Sequence, residues 1–210
     1  MCDEKSATGD HIPPKGLFTT SIRNDCKFLI VPACKMHNEG SKLDDEYFRT
    51  VMAVGSPKAD AALKLIDERI MPSDSSMSVI KSLDRIAQPV QIKNPDGTVE
   101  DGYKFEIDKQ RFQKIVDKIA KGLYWATNGK RLPEDYEVAP YLWNPAFAEE
   151  QKRIIGTLPI LFVGHPKVFE FRYGEVGEQN KVVIGMSFFD TSNLLFCTIG
   201  PISKHGSSAR

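Results

Sequence analysis

A stretch of forty-two residues with one short apolar run, Phe28 to Val31, has almost nothing to bury by itself. Residues 1–42 are instead dense in Cys, His, Asp, Asn, Pro and Gly. A compact unit below about 40 residues usually needs a metal or a disulfide to hold it. The four cysteines, Cys2, Cys26, Cys34 and Cys197, are too few for a disulfide framework in 210 residues. In a reducing compartment, cysteine clustered with histidine reads as metal ligation before it reads as bridging. Cys34 and His37 make such a pair, Cys-x-x-His, followed at once by Asn38. Structural zinc takes four Cys or His ligands, commonly as two close pairs on separate loops. Here the second pair is incomplete, because Cys2 has no partner two or three residues away; Cys26 or His11 are the alternatives. A plainer reading stands beside this one: cysteine behaves as a small hydrophobe, and Cys34 follows Ile30-Val31-Pro32-Ala33.

The second chemical signal is Asp10-His11, in Gly9-Asp10-His11-Ile12-Pro13-Pro14-Lys15. An imidazole can deprotonate water near neutral pH. A neighbouring carboxylate can hold a divalent cation that stabilises developing charge. The two prolines fix the following backbone, and Lys15 ends the segment in a cation suited to phosphate. Taken alone, Asp-His also marks ordinary capped turns.

Together, Cys2, Asp10-His11-Ile12-Pro13-Pro14-Lys15 and Val31-Pro32-Ala33-Cys34-x-x-His37-Asn38 resemble the zinc-knuckle branch of the HNH endonucleases. Lys42-Leu43-Asp44-Asp45-Glu46-Tyr47-Phe48-Arg49 and Gly122-Leu123-Tyr124-Trp125 look like stretches of its uncharacterised bacterial members. The resemblance implies a hairpin and helix gripping one catalytic cation, the ββα-metal arrangement. It implies His11 as general base, Asp10 and Asn38 as ligands of Mg2+ or Mn2+, and Cys2, Cys34 and His37 as ligands of structural Zn2+. Three features depart from the pattern. The outer cysteine of the first pair is missing, and an in-frame Cys upstream of the Met1 codon would complete it. His37 replaces the last cysteine. The slot of the middle Asn falls near Lys27, which leaves Asn24 as the candidate for that catalytic position.

The rest of the chain reads as scaffold or substrate-handling surface. A helix is expected from Ser41, capped by Ser41-x-x-Asp44, with Phe48, Val51 and Met52 buried and Gly55-Ser56-Pro57 ending it. Residues 58–71 carry Ala62, Leu65, Ile66 and Ile70 on one helical face. Pro72-Ser73-Asp74-Ser75-Ser76 reads as a hinge, followed by a short helix from Ser78 to Ile86. Val90 to Ile92 and Tyr103 to Ile107 flank the turn chemistry of Asn94-Pro95-Asp96-Gly97. After Asp108, Phe112, Ile115, Val116, Ile119 and Leu123 fall at helical spacing up to Asn128-Gly129. The other face of that helix is basic (Lys109, Arg111, Lys114, Lys118, Lys121) and is expected to be solvated more often than phosphate-bound. From Leu158 onward the pattern is strand-like, which predicts an antiparallel sheet on that helix.

These readings predict an α+β protein: an HNH-like, zinc-stapled module over 1–72, an accessory α+β domain over 73–202 and a disordered tail over 203–210. The expected function is metal-dependent hydrolysis of nucleic acid, DNA foremost, by water that His11 activates. The alternative is a zinc-stabilised nucleic-acid or protein binding module without effective catalysis. A hydrolase on the C-terminal sheet finds no nucleophile pattern in Ser187, Asp190 and His165. Trp125 and Trp143 could stack on bases but read better as core or contact residues. No apolar run approaches the ~20 residues of a membrane helix and no leader pattern opens the chain, so the cytoplasm is the expected location. The 28 basic and 28 acidic residues cancel, so attraction to nucleic acid has to come from local chemistry.

Overall fold

The computed structural model describes residues 8–93, 96–141, 148–176, 181–190 and 193–202. The chain opens with an antiparallel hairpin of β1 (Thr8–Ile12) and β2 (Leu29–Ala33), with Asp10 opposite Val31 and His11 opposite Ile30. Between the strands lie a 3-10 turn, Lys15–Leu17, and the short helix α1 (Thr20–Arg23). Helix α2 (Lys35–Glu39) follows β2 directly, and α3 (Lys42–Val54) starts after one further turn. The first residues thus do find a core, by borrowing one. Ile12, Leu17 and Phe18 are fully buried and share an apolar cluster with α3 and with the long helix downstream.

Helix α3 ends at Gly55 as expected, with Phe48, Val51 and Met52 buried. Its start differs from expectation. The Ser41 hydroxyl donates to Asp45 Oδ2 (3.0 Å) and to the Asn38 carbonyl (3.4 Å), so it does not cap a backbone N–H. Helix α4 (Asp60–Leu65) runs on into a π-helical turn, Ile66–Ile70. Helix α5 (Asp74–Ile86) begins four residues earlier than expected, because Ser73 is its N-cap and accepts from the Ser76 N–H at 3.3 Å. The polar run read as a hinge is therefore a cap and a first helical turn.

Strands β3 (Gln88–Lys93) and β4 (Val99–Lys104) form a second hairpin, whose turn includes Gly97 at φ 85°. Helix α6 (Lys109–Asn128) is the longest element. Asp108 caps its start and Gly129, at φ 65°, ends it. Strand β5 (Tyr136–Tyr141), helix α7 (Ala148–Thr157) and strands β6 (Ile160–His165), β7 (Phe169–Val176), β8 (Lys181–Phe188) and β9 (Asn193–Pro201) complete the chain. The sheet is antiparallel, in the order β5-β9-β8-β7-β6.

The apolar stripe of α6 lies against α3, the first hairpin and the sheet, so one core runs from Ile12 to Ile199. Phe48 of α3 meets Phe112 of α6 at 4.9 Å and Phe188 of β8 at 5.7 Å between ring centroids. The fold is mixed α+β, as the sequence predicts. No helix among the described residues is long and apolar enough to cross a membrane.

Candidate functional site

Successive side chains on a strand point to opposite faces. That geometry separates Asp10 from His11. Ile12 packs against Gly122 of α6 and Asp10 reaches Lys118 of the same helix, whereas His11 turns away to meet Phe28 edge-on at 5.4 Å. The adjacent carboxylate and imidazole therefore serve two different environments.

On the His11 side, Lys15 Nζ stands 5.9 Å from the Phe28 ring centre, and an Arg23 guanidinium N–H donates to the Lys15 carbonyl at 3.0 Å. Burial lowers the His11 pKa from 6.5; Lys15 lowers it further, Asp10 opposes, and Arg23 adds to the lowering. The imidazole is thus neutral at pH 7, the form a general base needs. The surroundings are rich in cations. Burial, then the nearby charges of Arg69 and Arg49, lower the Arg23 pKa, and the Nε atoms of Arg23 and Arg49 are buried without a hydrogen-bond partner among the described residues. Asn24, the candidate for the catalytic position of the middle Asn, lies exposed at the C-terminal end of α1.

On the Asp10 side the dominant group is Lys118. Its ammonium donates to Asp45 Oδ1 (2.6 Å), Asp45 Oδ2 (2.9 Å) and Ser41 Oγ (3.0 Å), with Asp10 Oδ2 at 3.5 Å. Burial raises the Asp45 pKa, against the pull of Lys118 and Ser41. Next to it, Arg111 and Lys114 hold Asp44 at 2.8 and 3.6 Å. The basic face of α6, expected to be solvated, is largely spent on the acidic first turn of α3. A cavity of about 690 Å³ opens beside this cluster, bounded by Asp10, Cys34, Met36, Lys118, Trp125 and Arg131 among others.

Asn38 of α2 donates from Nδ2 to Thr8 Oγ1 (3.1 Å) and Gly9 O (3.5 Å), and Thr8 Oγ1 in turn donates to Ala33 O (3.1 Å). Asn38 thus ties its helix to the hairpin. The amide nitrogen is the atom turned inward, because both of its partners need a donor.

A divalent ion on Asp10 and Asn38 does not fit this arrangement. Hard cations take oxygen ligands, yet Asp10 already faces an ammonium and Asn38 presents its nitrogen. The zinc knuckle is likewise not assembled among the described residues, where no group of three His, Cys, Asp or Glu is placed to hold an ion. Cys34 is buried at the N-cap of α2 and is not in a disulfide. Cys26 is a free thiol whose Sγ donates to the Ile22 carbonyl at 3.2 Å, and burial raises its pKa. Cys2 and the side chain of His37 lie outside what the structure describes. Ile12, Leu17, Phe18 and Val31 are buried in the shared apolar core and hold the hairpin to it.

Ser187, Asp190 and His165 form no relay: the Lys167 N–H donates to His165 Nδ1 at 3.3 Å, which occupies the nitrogen that would have to donate to an aspartate. Trp125 packs on the core and borders the cavity; the Trp143 side chain lies outside the described residues. Sequence reasoning missed Lys118 and Asp45 as site partners. They are 73 residues apart in the chain, and the only local signal was the i, i+4 pair Ser41 and Asp45. Compared with family models, curated proteins and solved structures, the chain matches none.

Proposed function

We propose that this chain is a phosphodiester hydrolase of nucleic acid, with DNA the first substrate to test. The observation that carries the reading is the His11 face: an imidazole whose pKa burial, Lys15 and Arg23 lower, beside those two cations in a chain of zero net charge. Local cations of this kind attract phosphate oxygens. In the reaction the water oxygen bonds to phosphorus while its proton passes to His11. The bond from phosphorus to the leaving ester oxygen breaks, and that oxygen takes a proton from solvent. The hairpin-then-helix order of β1, β2 and α2 agrees with the resemblance to HNH endonucleases. The ion assigned to Asp10 is not needed to state this step, so the reading rests on His11, Lys15 and Arg23.

One observation favours a second reading, a nucleic-acid or protein binding module without catalysis. Lys118 fills the place between Asp10 and Asp45, which gives the hairpin and helices a complete ion pair with no reaction to perform.

Nicking of supercoiled plasmid, with magnesium or manganese in the buffer, separates the two. On the hydrolase reading the wild type nicks and His11→Ala loses about 100-fold or more of the rate. Equal nicking by both removes His11 from the mechanism. No nicking, with gel retardation that Lys15→Ala/Arg23→Ala abolishes, selects the binding module.

A further inference from the structure

We infer that Lys118 is the resident counter-ion of Asp10: where the family resemblance would put a divalent ion, this chain holds the ammonium of its own helix α6. Four side-chain oxygens from three residues converge on Lys118 Nζ: both oxygens of Asp45, the hydroxyl of Ser41 and Oδ2 of Asp10, at 2.6 to 3.5 Å. The Ser41 hydroxyl accepts from Lys118 and donates to Asp45 Oδ2, the nearer of its two acceptors.

All three charged side chains are largely shielded from water, with exposures of 17% for Lys118, 12% for Asp10 and 23% for Asp45. Two carboxylates this shielded raise each other's energy unless a cation stands between them. The neighbouring Asp44 does not compete for Lys118, because Arg111 and Lys114 already serve it. Asp10 in turn has its ion pair with Lys118.

Two carboxylates and a hydroxyl are also the donor set that a hard divalent ion takes. Exchanging Lys118 for a neutral side chain of similar length would leave that set with two negative charges and no counter-ion. The site would then accept an ion that the wild type excludes. This inference goes beyond the hydrolase reading and survives its failure, since its readout is ion binding and not cleavage.

Manganese is the probe, because it takes the same oxygen ligands as magnesium and broadens nearby NMR signals. In the wild-type chain, titration with MnCl2 leaves the amide signals of Asp10, Val31 and Asp45 no more broadened than those of the distant sheet. In Lys118→Met and Lys118→Gln those three signals broaden first, with binding at least about ten-fold tighter than in wild type. Adding Asp10→Asn to Lys118→Met removes the new site, and Lys118→Arg behaves as wild type. Selective broadening at Asp10 and Val31 in the wild type overturns the inference, however the variants fold. A folded Lys118→Met chain that gains no manganese site overturns it equally.

Discussion

The charge state of His11 is set by what surrounds it on the outer face of β1. Burial and the Lys15 ammonium disfavour the imidazolium, and Asp10, pointing to the other face, recovers only part of that. The folded-state pKa therefore lies below 6.5, and the unfolded chain binds the proton more readily. Two outcomes follow from the sign. The acid limb of a nicking rate profile falls below pH 6.5, and Lys15→Ala moves it upward, because the second-largest cause of the lowering is gone. Stability falls as pH drops through 6.5 toward the lowered value, since protonating His11 costs more in the folded state. An NMR titration of the His11 ring in wild type and Lys15→Ala checks both. At this scale the sequence was half legible. Asp10 and His11 announce acid–base chemistry by type, but adjacency in sequence is opposition on a strand. Lys118 is invisible to any local reading, since its partners come from a different helix and from the hairpin.

Helix α6 shows what an element makes legible and what it hides. Its apolar positions repeat at helical spacing over five turns, and Asp108 and Gly129 mark its ends, so its type and length follow from pattern alone. The use of Gly122 within it does not. A Cβ there would stand 2.5 Å from Cγ1 and 2.7 Å from Cδ1 of the fully buried Ile12. Gly122→Ala gains about 1 kcal/mol of helix propensity, but overpacking a filled core costs about 1–3 kcal/mol. The nearest crowded atom is Cγ1 of a β-branched residue, stiff at χ1, so it cannot swing aside cheaply even beside the cavity, and the cost wins. Urea melts will show a net loss of stability, with amide shifts centred on Asp10 to Ile12. Strand β5 escaped notice for the opposite reason: it is an edge strand that carries Pro140, which breaks the expected pattern. The first turn of α5 was hidden in a run of serines, yet those serines bind Glu46. Burial alone would raise that carboxyl, but the hydroxyls of Ser73, Ser75 and Ser76, with Arg49, hold it down at about 2. Stability from this contact is complete above pH 4.5 and is lost as pH falls toward 2. Glu46→Gln will flatten the acid arm of the stability profile over that window in pH-dependent urea melts.

Across the whole molecule, the expected border near Pro72 meets no gap in the core. Ile12 and Phe18 lie upstream of it, Ile115 and Phe188 downstream, and all belong to one apolar cluster. The amphipathic stripe of α6 has to cover two surfaces at once, α3 with the hairpin on one side and the sheet on the other. The sequence patterns were read as separate modules because periodicity reports that a face is apolar, not which partner covers it. A single apolar cluster makes a strong prediction. In urea, far-UV circular dichroism and tryptophan fluorescence will give coincident transitions, as a two-state unit requires. A fragment of 73–210 will lose the α3 and hairpin cover of Phe112, Ile115 and Ile119, and its NMR spectrum will show poor dispersion. Separate transitions, or a well-dispersed fragment, would instead make the sheet and α6 an independent domain. In that case the Asp10–Lys118 pair would bridge two bodies, alongside Arg111–Asp44 and the Phe48–Phe112 contact. The coincidence of the two melts therefore decides whether Lys118 acts within a single fold or as a latch between domains.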